Sequence, residues 1–126
     1  RNCRFFLATG NKDEELKILN KIINSKYGSK CDALNNMNLV ETLPIIKNCN
    51  LYIGNDTGFM HMSAALGVKS IGIFTDSPAY SYSGYSKNII PIVPEGETVE
   101  STSHDTLGKN NISFQKVFEK AKDFLI

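Results

Sequence analysis

The chain predicts an α/β fold: three layers, with a mostly parallel sheet of about five strands covered by helices on both faces. Three observations lead there. Short runs that suit strands, each bounded by Gly, Asn, Asp, Ser or Pro, begin near Cys3, Ser29, Leu51, Ser70 and Ile89. Segments with helical spacing of apolar residues stand between and after them. No internal repeat or low-complexity tract interrupts the alternation.

In order, Cys3 to Leu7 is apolar and aromatic, and Ala8-Thr9-Gly10-Asn11 breaks it, a strand followed by a loop. Lys12 to Lys26 is a helix. Asp13, Glu14 and Glu15 fall in its first turn, where carboxylates suit the dipole. Leu16, Leu19, Ile22 and Ile23 form one apolar stripe, and Tyr27-Gly28 ends the helix. Ser29 to Leu34 is a weaker strand, followed by a turn at Asn35-Asn36. Asn38-Leu39-Val40-Glu41 has the spacing of a capping box. Leu39, Leu43 and Ile46 share a face of the helix it opens. Pro44 should kink that helix or delay its start to about Thr42.

Leu51-Tyr52-Ile53 is an apolar run suited to a buried strand. Asn55-Asp56-Thr57-Gly58 supplies turn and cap chemistry, with Asp56 placed to cap the helix that follows. Gly67 is positioned to end that helix in a left-handed conformation. Ser63, Ala64 and Ala65 are small enough to let it lie close against a sheet. Ser70 to Phe74 is the next strand, closed by Thr75-Asp76-Ser77-Pro78. Residues 79–88 read as a polar loop carrying Tyr80, Tyr82 and Tyr85. Ile89 to Val93 is a fifth strand, and Pro91 and Pro94 suit it to an edge. Residues 95–110 are polar and aperiodic, a surface connection. In a last helix from about Ser113 to Leu125, Phe114, Val117, Phe118, Ala121 and Leu125 form a core-facing stripe.

The 126 residues fit one domain, a length that buries roughly two thirds of the unfolded surface. Fourteen basic and 13 acidic residues are spread through the chain, so charge implies no nucleic acid. No apolar run approaches the ~20 residues of a membrane span, and no signal peptide is visible. Cys3, Cys31 and Cys49 are odd in number and widely spaced, which suggests buried, reduced thiols in a cytoplasmic protein. The chain opens on Arg1 with a strand already under way, so a fragment of a longer protein is expected.

The junction from Leu51 to Gly67 organises the rest. A helix start presents unpaired N–H groups and the positive end of the dipole. Gly58 has no Cβ and would let a phosphate approach the backbone. Asp56 either caps the helix or faces a sugar hydroxyl, so the junction reads as an anion or sugar site or as a well-capped core helix. His61 reads on its own as a helix histidine bonded to a carbonyl; Met37 reads as a turn residue, and His104 as a solvated one. Ligands of open α/β sheets bind beyond the carboxyl ends of the strands. That edge would gather the Gly10 loop, the Asn36-Met37 turn, Asp56-Thr57-Gly58 and Thr75-Asp76.

Gly54-Asn55-Asp56-Thr57-Gly58-x-x-His61-x-x-Ala64-Ala65-Leu66-Gly67, with a strand then ending in Phe74-Thr75-Asp76-x-Pro78, resembles the family-9 glycosyltransferases. These are the heptosyltransferases of lipopolysaccharide core assembly. Asn38-Leu39 through Leu51, Gly84-Tyr85-x-Lys87-Asn88 and Asn111-Ile112 through Leu125 extend the likeness over most of residues 3–126. The resemblance implies a GT-B fold, two Rossmann-like domains facing each other across a cleft. The chain would be the C-terminal, donor-binding domain, lacking that domain's first strand and helix. The N-terminal domain, absent here, would hold the lipid A-core acceptor and the general base.

Transfer would invert the anomeric centre without a metal or other cofactor, from a donor of the ADP-heptose type. The enzyme would be cytoplasmic, with peripheral association at the inner face of the bacterial inner membrane. Carried over by position, Asp56 would hydrogen-bond the donor sugar. Thr57 and Gly58 would offer amides to the pyrophosphate, and His61 would lie near the donor or brace Asp56. Met37 would sit beside adenine. Glu14 or Asp13 would meet the ribose, although Lys12 stands about where the acid is expected. Phe59 replaces the family's usual proline.

Two other readings compete. Asp56-Thr57-Gly58 is also the signature of aspartic proteases, but those carry it on a loop of an all-β fold, whereas Met60 to Leu66 is helical in pattern. A non-enzymatic α/β interaction domain with a degenerate site is the other.

Overall fold

The computed structural model describes residues 2–106 and 111–125. The chain forms two compact units, Arg1–Thr42 and Leu43–Ile126. The five expected strands are all present and every pairing is parallel; they fall in one two-stranded and one three-stranded sheet.

In the first unit, β1 (Phe5–Leu7), α1 (Asp13–Ile23), a single 3-10 turn (Gly28–Lys30) and β2 (Cys31–Ala33) follow in order. Phe5 lies opposite Cys31, and Leu7 opposite Ala33. Arg4 grips Asp32 with two bonds of 2.6 and 2.9 Å. This holds the Asp32 carboxyl below its usual range and the Arg4 guanidinium above its own. The loops leaving the two strands are joined by a reciprocal pair: Asn11 Nδ2 donates to the Asn35 carbonyl and Asn35 Nδ2 to Asn11 Oδ1, each at 3.0 Å. The expected α1 stripe is buried only at Leu19, while Ile22 stays 38% exposed. Two short strands offer too narrow a surface to cover the whole face of a helix.

Helix α2 (Leu39–Lys47) runs through the point of division between the units. It continues past Pro44 and does not wait for Thr42 to begin. Its start is held by the expected box: Glu41 N–H donates to Asn38 Oδ1 at 3.0 Å, and Asn38 N–H to the Glu41 carboxylate at 2.8 Å. Ile46 is buried, but Leu39 is exposed and does not share its environment.

The second unit contains β3 (Tyr52–Asn55), α3 (Gly58–Ala65), β4 (Ser70–Ile73), α4 (Ala79–Ser83), β5 (Ile89–Ile92) and α5 (Phe114–Leu125). Strand β4 is central, flanked by β3 and β5. Side chains alternate across the sheet and divide the core in two. Met60 and Ala64 of α3, Ala79 of α4, Phe74, Ile89 and Val93 make one cluster. Ile71 and Ile92 pack with Ala121 of α5, joined by Val117 and Ile112, to make the other. The unit is therefore a three-layer α/β/α sandwich. Gly72 permits the close approach of α3, since a methyl there would collide with Met60 Sδ and the Phe74 ring.

Four local expectations need correction. Ile53 is 45% exposed because β3 is an edge strand of its sheet, with β4 as its single partner there. Residues 79–83 are helical where a loop was expected. Ala79 N–H donates to the buried Thr102 hydroxyl at 2.9 Å, and Ser83 Oγ to the Ala79 carbonyl at 2.6 Å. On α5, Phe114 and Phe118 are 78% and 45% exposed, stacked on each other and outside the core, because a three-stranded sheet reaches only Val117 and Ala121. The three cysteines are free but half-buried, not buried. Of the expected 95–110 connection, residues 107–110 lie outside the described residues. No helix among the described residues is long and apolar enough to cross a membrane.

Candidate functional site

Strand β3 delivers the chain to the start of α3. Thr57 is the N-cap, extended at φ −139° and ψ 172°, and its carbonyl accepts the Met60 amide at 3.0 Å. At the other end Gly67 is left-handed, with φ 85° as expected. Its N–H bonds the Ala64 carbonyl at 3.0 Å, and the Val68 N–H bonds that of Ser63 at 2.9 Å. That is a Schellman ending, which stops the helix before Gly67.

Asp56 does not cap this helix. It stands one residue before the cap, so its side chain lies outside the first turn and reaches the fourth helical position. Residues so placed commonly meet, usually as an apolar staple; here the pair is polar. Asp56 Oδ1 lies 3.2 Å from His61 Nε2, and only 16% of the aspartate side chain is exposed. Thr57 does not cap with its side chain either. Its hydroxyl lies 3.5 Å from Tyr52 Oη. Burial pushes the Tyr52 phenol up, and the charge of Asp56 acts in the same direction, so this hydroxyl keeps its proton at neutral pH.

The Gly58 and Phe59 amides therefore find no acceptor among the described residues. Gly58 itself is uncrowded: a Cβ there would meet no atom within 4 Å beyond its chain neighbours and its own helix backbone. Fixed amides, a helix dipole and an open approach suit an anion.

The far side of His61 is held by residues that sequence reasoning placed only in a loop. Tyr85 Oη hydrogen-bonds His61 Nδ1, and the two rings stack at 5.7 Å and 22°. Tyr82 meets the imidazole edge-on at 6.5 Å, and His104 meets Tyr82 at 6.2 Å. His104, expected to be solvated, is exposed and borders the cluster through Tyr82. Asn88 Nδ2 ties the loop back to α3 through the Ala64 carbonyl at 3.0 Å.

The structure brings Asp56, Thr57, Gly58 and His61 together in the second unit. Met37 and Glu14 belong to the first, beyond the carboxyl ends of β2 and β1. Met37 is half-buried in the turn after β2, its N–H on the Leu34 carbonyl at 3.1 Å, and Glu14 is exposed in the first turn of α1. Among the described residues, no three His, Cys, Asp or Glu side chains converge as metal ligands. A cleft of about 420 Å³ between β5 and α5, lined by Pro91, Val93, Lys116 and Lys120 among others, includes none of these site residues. That cleft is lined by Pro91, Ile92 and Val93 on the strand side and by Lys116, Glu119, Lys120 and Asp123 on α5, and the candidate site is the start of α3.

Residues 1–110 match glycosyltransferase family 9 (heptosyltransferase). Lipopolysaccharide heptosyltransferase 1 of Campylobacter coli is 33% identical over 82 residues, which are 65% of this chain and 23% of that protein. The matched stretch thus spans under a quarter of the relative's length. No solved structure gives a significant match. The family pattern covers α3 and both of its flanking strands, and the chain belongs to glycosyltransferase family 9.

Proposed function

We propose that this chain is the C-terminal, nucleotide-sugar-binding domain of a two-domain GT-B enzyme. It transfers heptose, with inversion, from an ADP-heptose-type donor to the lipopolysaccharide core. The observation that carries the reading is the open start of α3 beside a carboxylate braced by His61.

The diphosphate lies against the Thr57, Gly58 and Phe59 amides. Negative charge grows on this leaving group as the glycosidic bond breaks. Amides already aimed at it stabilise the transition state more than the ground state. His61 occupies Asp56 Oδ1, and Oδ2 accepts from a hydroxyl of the sugar, orienting a ring that becomes oxocarbenium-like. By the family resemblance alone, Met37 is the candidate for the adenine and Glu14 or Asp13 for the ribose. The base that deprotonates the acceptor approaches the opposite face and belongs to an N-terminal domain, so this chain alone transfers no sugar. No metal ion or other cofactor takes part. The enzyme works in the cytoplasm, where its lipid A-core acceptor holds it at the inner face of the inner membrane.

In the full-length enzyme Asp56→Ala is expected to lower turnover about tenfold or more, at least ~1.4 kcal/mol of barrier. Steady-state transfer assays measure it. Unchanged turnover in a folded variant would contradict the reading.

A further inference from the structure

We infer that Tyr85 is a positioning residue, whose hydroxyl and ring hold the tilt of His61 and through it the orientation of Asp56. The inference rests on the donor-site reading above and adds to it a residue which that reading does not use.

A carboxylate has no hydrogen to donate, so His61 Nε2 carries the hydrogen shared with Asp56 Oδ1. In a neutral imidazole the other nitrogen is then an acceptor and requires a donor. Tyr85 Oη is the donor present at Nδ1, and its ring lies against the imidazole. The reverse tautomer would set a bare Nε2 against the carboxylate, two acceptors facing each other. The carboxylate thus fixes the Nε2–H form, and the Tyr85 hydroxyl, donating to the Nδ1 left bare, completes it and holds the tilt of the ring.

Tyr85 is itself held in place. Gly84 leaves α4 with its N–H on the Tyr80 carbonyl at 2.9 Å, and a methyl at Gly84 would press on that carbonyl. Ser86 N–H bonds the Ser83 carbonyl at 3.2 Å, and Asn88 anchors the next turn to α3. Tyr85 is nonetheless 63% exposed. A hydrogen bond so open to water adds little to stability, which leaves placement as its consequence. A histidine bonded on one side to a carboxylate and on the other to a fixed donor is the arrangement by which outer partners orient a working group.

The test is Tyr85→Phe in the full-length enzyme, a variant that keeps the ring and the stack. Long-range proton–nitrogen correlation of labelled histidine should show the Nε2–H pattern at His61 in the parent, and in the variant an Nδ1 resonance displaced from its parental position as that nitrogen loses its donor. kcat should fall about three- to tenfold while the donor KM stays within about twofold, because misorientation is felt mainly in the transition state. A merely structural role would not lower kcat at an unchanged KM. A parental nitrogen pattern, or an unchanged kcat, overturns the inference. If Asp56→Ala abolishes turnover while Tyr85→Phe changes nothing, only the role of Tyr85 fails. If Asp56→Ala leaves turnover intact, the donor-site reading fails with it.

Discussion

Helices α2 and α3 begin in opposite ways. At α2 the chain satisfies its own amides, with Asn38 and Glu41 exchanging side-chain bonds across the first turn. At α3 equally good cap chemistry is present and is spent elsewhere. Asp56 is drawn to His61 and the Thr57 hydroxyl to Tyr52, so no side chain caps the helix. An absent cap forgoes about 1 kcal/mol. The sequence around Thr57 could have supplied one at no change of fold, so the start of α3 is kept open at a cost in stability. That is the usual sign of a surface reserved for a ligand.

The contrast can be broken most directly by giving α3 the cap it lacks. Thr57→Asp puts a carboxylate where the anion would lie. Calorimetric titration should show ADP binding weakened about tenfold or more. Denaturant unfolding of the same variant should show a gain of up to ~1 kcal/mol. Affinity and stability moving together would mean that the open start serves nothing outside the chain. A smaller effect sharpens the other side. Glu41→Ala removes one arm of the α2 box, with an expected cost of about 0.5 kcal/mol in unfolding and a change in ADP affinity of no more than about twofold. A loss of affinity as large as that of Thr57→Asp would dissolve the distinction between the two starts.

What could be read from the residues divides along the same line. The Asn38–Glu41 box and the left-handed Gly67 are local: partners lie within one turn, or chirality alone decides. Five strands and their parallel pairing were legible from alternation with helices. Their distribution over two sheets was not, because a short apolar run does not name its neighbour. The cap reading of Asp56 fails because its partner, His61, lies five residues on, a brace that the family resemblance offered and local pattern did not; the hold of Tyr85 on His61, another 24 along, was not legible. Helix periodicity correctly marked α5, but Phe114 and Phe118 fall beyond the edge of what three strands can cover. The five-residue α4 is too short to show a period and depends on Thr102 from a distant loop.

The central claim is that the amides opening α3 receive the donor diphosphate. Proton–nitrogen correlation spectra of the full-length enzyme titrated with ADP test it at those atoms. The account predicts saturable shifts at Thr57, Gly58 and Phe59, with slowed hydrogen exchange at Gly58 and Phe59. Saturable ADP binding that moves other amides and leaves these three still would contradict it.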